Sequence, residues 1–369
     1  MRIGVPKETK NHEYRVSLTP QNVALLTQAG HQVFVEQAAG AGVGLSDDAY
    51  EQAGASLLMT AKDVFAAAEL IIKVKEPSLD EAALLTEQHT LFTFLHLAPL
   101  TELTEALCRS GCTAIAYETV TNSQGQLPLL TPMSYVAGRM SVQAAAHSLE
   151  RESGGRGVLM GGVPGVAPAS VLIIGGGVVG MQAALMAVGL QADVTLLDKS
   201  VPRLAELNQH FDGRVKVLYA DETTMKPLVL NADVVIGAVL VPGATAPKLV
   251  KKSWLPLMQP GAVLVDVAID QGGCFESSRP TTHSDPTYIQ DGVSHYCVAN
   301  MPGAVPYTST YALNNVTIPF IQQLASGVLP ALKDNPYLAA GVNIYQGQVT
   351  YEAVAQSQQK PFISLYSLL

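Results

Sequence analysis

Gly175-Gly176-Gly177-Val178-Val179-Gly180 places glycine in the pattern GxGxxG. It follows the apolar, β-rich run Val171-Leu172-Ile173-Ile174 and opens a good helix former that stops at Gly189. In such a turn Gly175 permits the tight bend, Gly177 lets the backbone approach a pyrophosphate, and Gly180 lets helix and strand pack closely. The helix N-terminus adds free N–H donors and the positive end of its dipole. A second run, Val194-Thr195-Leu196-Leu197, ends on Asp198, about 20 residues past the turn. A carboxylate at that position accepts hydrogen bonds from both ribose hydroxyls and repels a 2′-phosphate, so the unit reads as a binder of NAD rather than NADP. Two further candidates, Lys75 and His96, each stand at the end of an apolar run, where ligands of parallel sheets gather. For Lys75 a strand-end cap, and for His96 a hydrogen-bonded packing role, stay open beside the chemical ones.

Elements able to position these residues recur along the chain. Strand-like runs at 3–5, 31–36, 70–77, 90–96 and 114–118 alternate with helix formers at 20–29, 47–53 and 61–68. The alternation resumes at 171–174, 194–197, 215–219, 233–239 and 262–268. This is the grammar of parallel α/β sheets. The predicted fold is α/β, with two Rossmann-like domains whose parallel sheets are separated by a cleft and joined by long helices. Leu127-Pro128-Leu129-Leu130-Thr131-Pro132 reads as a hinge, and residues 133–151 as a long helix whose Ala137, Gly138, Ser141, Ala144 and Ala145 suit close packing. From Tyr307 the pattern turns helical, at 308–324, 328–334 and 336–340, with no strand of the kind seen before it. That tail is expected to cross back, giving a substrate domain of 1–128 plus 307–369 and an NAD-binding domain of 129–306.

Composition narrows the function. The chain of 369 residues is 48% hydrophobic and 14% charged, too apolar for disorder, and so little charge predicts surface buried between subunits. A net charge of −9 provides no basic footprint for nucleic acid or an anionic membrane. The N-terminal residues lack the apolar core of a secretory signal, and no uninterrupted run approaches the length of a membrane span, so a cytoplasmic protein is expected. Cys108, Cys112, Cys274 and Cys297 form no CxxC pair; Cys108 and Cys112 are expected to share a helix face as packed, reduced thiols rather than as metal ligands.

The chain resembles the alanine dehydrogenase family over essentially its full length. The resemblance is carried by MRIGVPKE, RVSLTP, the lysine of KVKEP, the histidine of FTFLHLA, LLTPMS and VAGRMSVQA, IIGGGVVG, VDVAIDQGG, HYCVANMPGAVP and VTYEAVA. It implies reversible oxidative deamination of L-alanine to pyruvate and ammonia with NAD, in a homo-hexamer. By position, it implies that Arg15 and Lys75 hold the substrate carboxylate and that His96 and Asp270 are the acid/base groups. The chemistry agrees: an α-amino acid needs a cationic clamp, and deamination through an iminium and a carbinolamine needs groups that handle protons. Read from the residues alone, Arg15 in its polar loop is equally a surface charge, and Asp270, before Gly272-Gly273, equally a turn former.

For the cofactor the resemblance implies Ser134 at the start of the hinge helix, Val178 and Val179 over the pyrophosphate, and Arg203 near the adenosine. Val239 and Leu240 are implied beside the adenine or ribose. Val267, Ala268, Ile269, Asp270, Arg279, Val298, Ala299, Asn300 and Met301 are implied on the nicotinamide side. Three positions depart from the family pattern: Tyr135, usually acidic, Tyr307, usually basic, and Ala220, often serine. Loss of both charges together implies that Tyr135 and Tyr307 touch across the hinge. Transhydrogenases share a related NAD-binding component, which is the competing reading. Against it stand Arg15, Lys75, His96 and Asp270 together, and a tail that ends at Leu369 with no linker or membrane segment. Within the enzyme class a larger amino acid is the alternative, since a methylene or two involves only about 1–3 kcal/mol.

Overall fold

The early helices all begin on a side chain that satisfies a free backbone donor. Thr19 caps Pro20–Gln28, Ser46 caps Asp47–Gln52 and Thr60 caps Ala61–Ala67, while Ser78 and Glu81 form a reciprocal capping box on Leu79–Ala82. Between these helices run short apolar strands. In the computed structural model, which describes residues 1–239 and 246–369, the chain divides into two compact units: Met1–Met133 with Val305–Leu369, and Ser134–Ala304.

The first unit begins with β1 (Arg2–Val5), β2 (Gln32–Glu36), β3 (Ser56–Leu58), β4 (Leu70–Ile72), β5 (Thr90–Thr93) and β6 (Thr113–Ala116). They pair in parallel in the order β3-β2-β1-β4-β5-β6. β4 and β5 are buried along their whole length, as central strands covered on both faces must be. Both are shorter than the apolar runs predicted them to be. The 70–77 run leaves the sheet after Ile72 and the 90–96 run after Thr93, so the chemistry-bearing residues stand on the loops beyond. The helix Thr101–Ser110 ends on Gly111 in the left-handed region (φ 72°), which puts Cys112 outside the helix. The predicted shared face of Cys108 and Cys112 is therefore absent.

The second unit contains β7 (Ser170–Ile174), β8 (Asp193–Asp198), β9 (Lys216–Tyr219), β10 (Val234–Gly237), β11 (Val263–Asp266), β12 (Thr287–Gln290) and β13 (Val293–Tyr296). Its order, β9-β8-β7-β10-β11-β13, is parallel, with β12 added antiparallel at the edge. Both sheets thus have the doubly wound order in which the first strand of the unit lies in the middle and ligands sit where the order reverses. Alternation along β7 divides its side chains between two cores, Val171 and Ile173 on one face, Leu172 and Ile174 on the other.

The tail returns to the first unit with a strand that the sequence pattern did not suggest. β14 (Val342–Tyr345) pairs antiparallel with β6, and β15 (Gln348–Val349) folds back on it through Gly347 (φ 77°). The helices Pro306–Ser326, Val328–Asp334 and Pro336–Ala339 precede it, close to their predicted spans. Among the described residues no helix is long and apolar enough to cross a membrane.

Candidate active site

The carboxyl edge of the first sheet carries Arg15, Lys75 and His96 on the loops that follow its neighbouring strands β1, β4 and β5. Backbone pairing continues briefly past the strands, with Lys73 N–H donating to Phe92 O (3.2 Å) and Phe94 N–H to Val74 O (3.3 Å). The Thr93 hydroxyl donates to Lys75 O at 2.9 Å. Lys75 Nζ lies 3.8 Å from Glu76 Oε2, and Lys10 also pairs with Glu76. Burial alone would raise the Glu76 carboxyl, but the two lysines outweigh it and hold it below the ordinary range.

His96 adopts φ +47°, the left-handed region that a β-substituted residue enters at a cost. Glu118 sustains it. His96 N–H donates to Glu118 Oε1 at 2.6 Å, Leu95 N–H to Oε2 at 3.2 Å, and His96 Nδ1 stands 3.9 Å from Oε1. The imidazole stacks on Phe94, ring centroids 5.7 Å apart, and Phe92 and Phe94 both pack against the buried Tyr117 ring. With its side chain 40% exposed, His96 is a reachable group on a fixed support, which removes the purely internal role left open by the sequence.

Arg15 is 2% exposed, so the surface-charge alternative also falls. Its Nε donates to Glu13 Oε1 at 2.7 Å and its Nη1 reaches Met133 Sδ at 3.1 Å. Ser17 Oγ ties the same loop to Ile72 O, at the end of β4, at 2.7 Å.

The second unit builds its edge from backbone. Gly175 has φ +105°, and a Cβ there would lie 2.7 Å from Ala238 O, because β7 and β10 run side by side into the turn. A Cβ on Gly180 would lie 1.8 Å from Gly175 O, the close helix–strand contact expected of it. Gly177 differs: its backbone is extended and a Cβ would meet nothing within 4 Å, so that position is open for approach. Asp198 faces the turn, its Oδ2 accepting Gly176 N–H at 2.7 Å and its Oδ1 Ser200 N–H at 2.8 Å. Arg203 braces the turn from the other side, donating from Nε to Gly176 O at 2.8 Å and from Nη1 to Glu206 at 2.7 Å. Val178 is exposed, Val179 buried and Val239 half-buried beside them; Leu240 lies outside the described residues.

Ser134 is half-buried on the helix Thr131–Ser148. In that helix Gly138 closes on the helix Val178–Gly189, where a Cβ would lie 2.4 Å from Val179 O. At least this member of the small-residue stripe is therefore consumed within the chain rather than in a contact between subunits.

Asp270 is exposed on the single turn Ile269–Gln271 that follows β11, while Ala268 and Ile269 are buried and Val267 half-buried. What fixes this loop is Asp266, a fully buried carboxylate that sequence reasoning missed. It accepts N–H bonds from Ala268 (3.1 Å), Cys274 (2.8 Å) and Phe275 (3.3 Å), together with the Ser278 hydroxyl. Burial pushes its carboxyl above the ordinary range in spite of these donors. Val298 and Met301 are buried, Ala299 and Asn300 half-buried, and Asn300 O faces His283 Nε2 at 3.0 Å. Arg279 is exposed and lies over the Tyr288 ring, 4.0 Å from its centroid. Of the departing tyrosines, Tyr307 packs on Tyr311 of its own helix at 4.9 Å and Tyr135 is exposed. Among the described residues no group of three or more His, Cys, Asp or Glu is placed to hold a metal ion.

Comparison with known proteins identifies the family and the fold. The models "Alanine dehydrogenase/PNT, N-terminal domain" and "Alanine dehydrogenase/PNT, C-terminal domain" match residues 4–137 and 141–352. The chain is 56% identical over 370 residues to an alanine dehydrogenase of Halomonas elongata, covering 100% of both chains. It is 51% identical to that of Mycobacterium tuberculosis, again over 100% of each. A solved L-alanine dehydrogenase superposes with TM-score 0.93 at 53% identity, over 97% of this chain and 99% of that one. A transhydrogenase from Sinorhizobium meliloti superposes with TM-score 0.80 at 25% identity, over 96% and 100%.

Proposed function

The chain belongs to the alanine dehydrogenase/PNT family, and we propose that it performs the NAD-dependent, reversible oxidative deamination of L-alanine through the residues just described. The observation that carries the assignment of roles is the grouping of Arg15, Lys75 and His96 on one sheet edge, each held by its own carboxylate neighbour. Arg15 and Lys75 bind the carboxylate of the amino acid by charge-assisted hydrogen bonds and so orient its Cα hydrogen. NAD, when bound, supplies the hydride acceptor. The residues present fit it: an open approach at Gly177, a strained turn at Gly175 and a carboxylate already aimed at that turn at Asp198. Once the ammonium group of alanine has given up a proton, loss of hydride from Cα leaves an iminium. His96 and Asp270 then serve as acid and base: one takes a proton from the attacking water, and the carbinolamine collapses to pyruvate as its nitrogen is protonated, its hydroxyl gives up a proton and ammonia leaves.

The transhydrogenase-like reading is disfavoured by the lower identity of that relative, 25% against 53%, and by the cationic clamp, which a nucleotide-binding module does not need. A cytoplasmic homo-hexamer accompanies the reading, supported by the 14% charge of the chain and the family likeness. Light scattering that returned the mass of a single chain would overturn the assembly. NADH formation measured in parallel with alanine, glycine, serine and valine tests the activity. Fastest turnover with alanine is expected; NAD binding without reduction by any amino acid would replace the enzyme with a binding component.

A further inference from the structure

β1 pairs with β4 only as far as Gly4 and Ile71; Val5 still pairs with Val35 of β2, and the first strand ends there. Among the described residues, residues 73–75, which lead to the substrate lysine, thus have no backbone hydrogen bond on their β1 side. Val74 is 0% exposed, and a buried N–H left without an acceptor is costly. Glu8 fills the gap. Its Oε1 accepts Val74 N–H at 2.6 Å and is 3.4 Å from Lys75 N, standing where a strand carbonyl would otherwise be. The carboxylate is itself held in place. Its Oε2 lies 3.2 Å from Lys73 Nζ, and that buried ammonium lies 2.8 Å from Glu81 Oε1. Glu81 in turn is fixed by the capping box with Ser78.

From this geometry we infer that Glu8 is a positioning residue for the substrate-binding reaction: its carboxylate, clamped by Lys73 and Glu81, sets where Lys75 presents its ammonium. The inference rests on the reading of Lys75 as a ligand of the amino-acid carboxylate. Three observations support it. The Lys75 peptide is held on both sides, by Glu8 near its N–H and by the Thr93 hydroxyl at its carbonyl. The side chain of Lys75 stays partly exposed at 15% while Lys73, two residues earlier, is buried at 1%. The Glu8–Lys73–Glu81 cluster is buried, which fixes the carboxylate where it stands.

Steady-state kinetics with alanine, together with NAD titration and thermal melting, test this on Glu8→Ala, Glu8→Gln and Lys75→Ala. Glu8→Ala is expected to raise the alanine KM roughly tenfold or more, with a smaller change in kcat and unchanged NAD affinity. Glu8→Gln keeps an oxygen for Val74 N–H and is expected to recover most of the loss. A folded Glu8→Ala with lowered melting temperature but wild-type KM overturns the inference, provided Lys75→Ala raises KM. If Lys75→Ala leaves KM unchanged, the underlying reading of Lys75 is the one that fails. Should Glu8→Ala not fold, Glu8→Asp, which draws the carboxylate back from Val74 N–H by one methylene, carries the test: a KM raised toward that of Lys75→Ala supports the role of the acceptor, and a wild-type KM contradicts it.

Discussion

The two units have the same strand order and opposite ways of using their carboxyl edges. In the first, the edge is made of charged side chains, Arg15, Lys75 and His96, each tied to a glutamate. In the second it is made of backbone, the glycine turn and the loop beyond β11, with Asp198 and Asp266 accepting main-chain N–H groups. On the proposed reading, the difference follows from the ligands. A small zwitterion offers only its charges, whereas a dinucleotide offers a pyrophosphate that helix N–H groups bind and flat rings that apolar surfaces accept. One fold therefore serves two kinds of recognition because specificity resides on the rim, not in the sheet.

Arg15→Ala should break the comparison most severely. It removes the cation beside Glu13, whose side chain is 0% exposed, and losing one partner of a buried pair costs about 3–5 kcal/mol. The melting temperature should fall, the alanine KM rise and NAD affinity hold; a fall in melting alone would make Arg15 structural. Gly180→Ala comes next. Its Cβ would meet Gly175 O at 1.8 Å, so overpacking of about 1–3 kcal/mol and loss of NAD binding are expected. Gly177→Ala, with nothing within 4 Å, should weaken NAD binding while melting like wild type. Equal melting temperatures for the two variants would refute the division between a packing glycine and an approach glycine.

Asp198→Ala removes the acceptor of Gly176 N–H and, on the proposed reading, of the ribose, a charged hydrogen bond of about 1.5–3 kcal/mol. NAD should lose most of its advantage over NADP in initial-rate assays, and an unchanged preference would sink the ribose assignment. The smallest effect concerns pH. His295 is buried, with Nδ1 facing Val293 O at 3.0 Å and Nε2 facing Ser277 Oγ at 2.8 Å, and desolvation lowers its pKa from 6.5. A depressed histidine favours the folded state above the unfolded pKa and loses that contribution as pH falls toward its folded one. Chemical denaturation followed downward from pH 6.5 should therefore show declining stability, and His295→Gln should flatten the decline.

Much of the second unit's site was legible in sequence because its chemistry is local: turn, helix and acidic strand end fall within one short stretch. Lys75 and His96 were legible as strand ends. Their supports were not, because the fold brings them from afar. Glu118 lies 22 residues from His96 and Glu8 lies 66 from Val74. Arg15 looked like a surface charge because its loop is polar; Glu13, two residues away, is what lets it be buried. Asp266 was hidden inside an apolar strand run. The hairpin of β14 and β15 escaped notice because Val342–Tyr345 is only 4 residues long and includes Asn343.

On the proposed reading, proton transfer and substrate binding are separable from cofactor binding. Alanine-dependent NADH formation by His96→Ala and Asp270→Asn, measured at saturating alanine beside NAD titrations of the same preparations, tests it most directly. Rates lowered by roughly 10²–10⁴-fold with NAD affinity unchanged are expected. Variants that kept most of the wild-type rate, or that lost rate only in proportion to lost NAD binding, would contradict it.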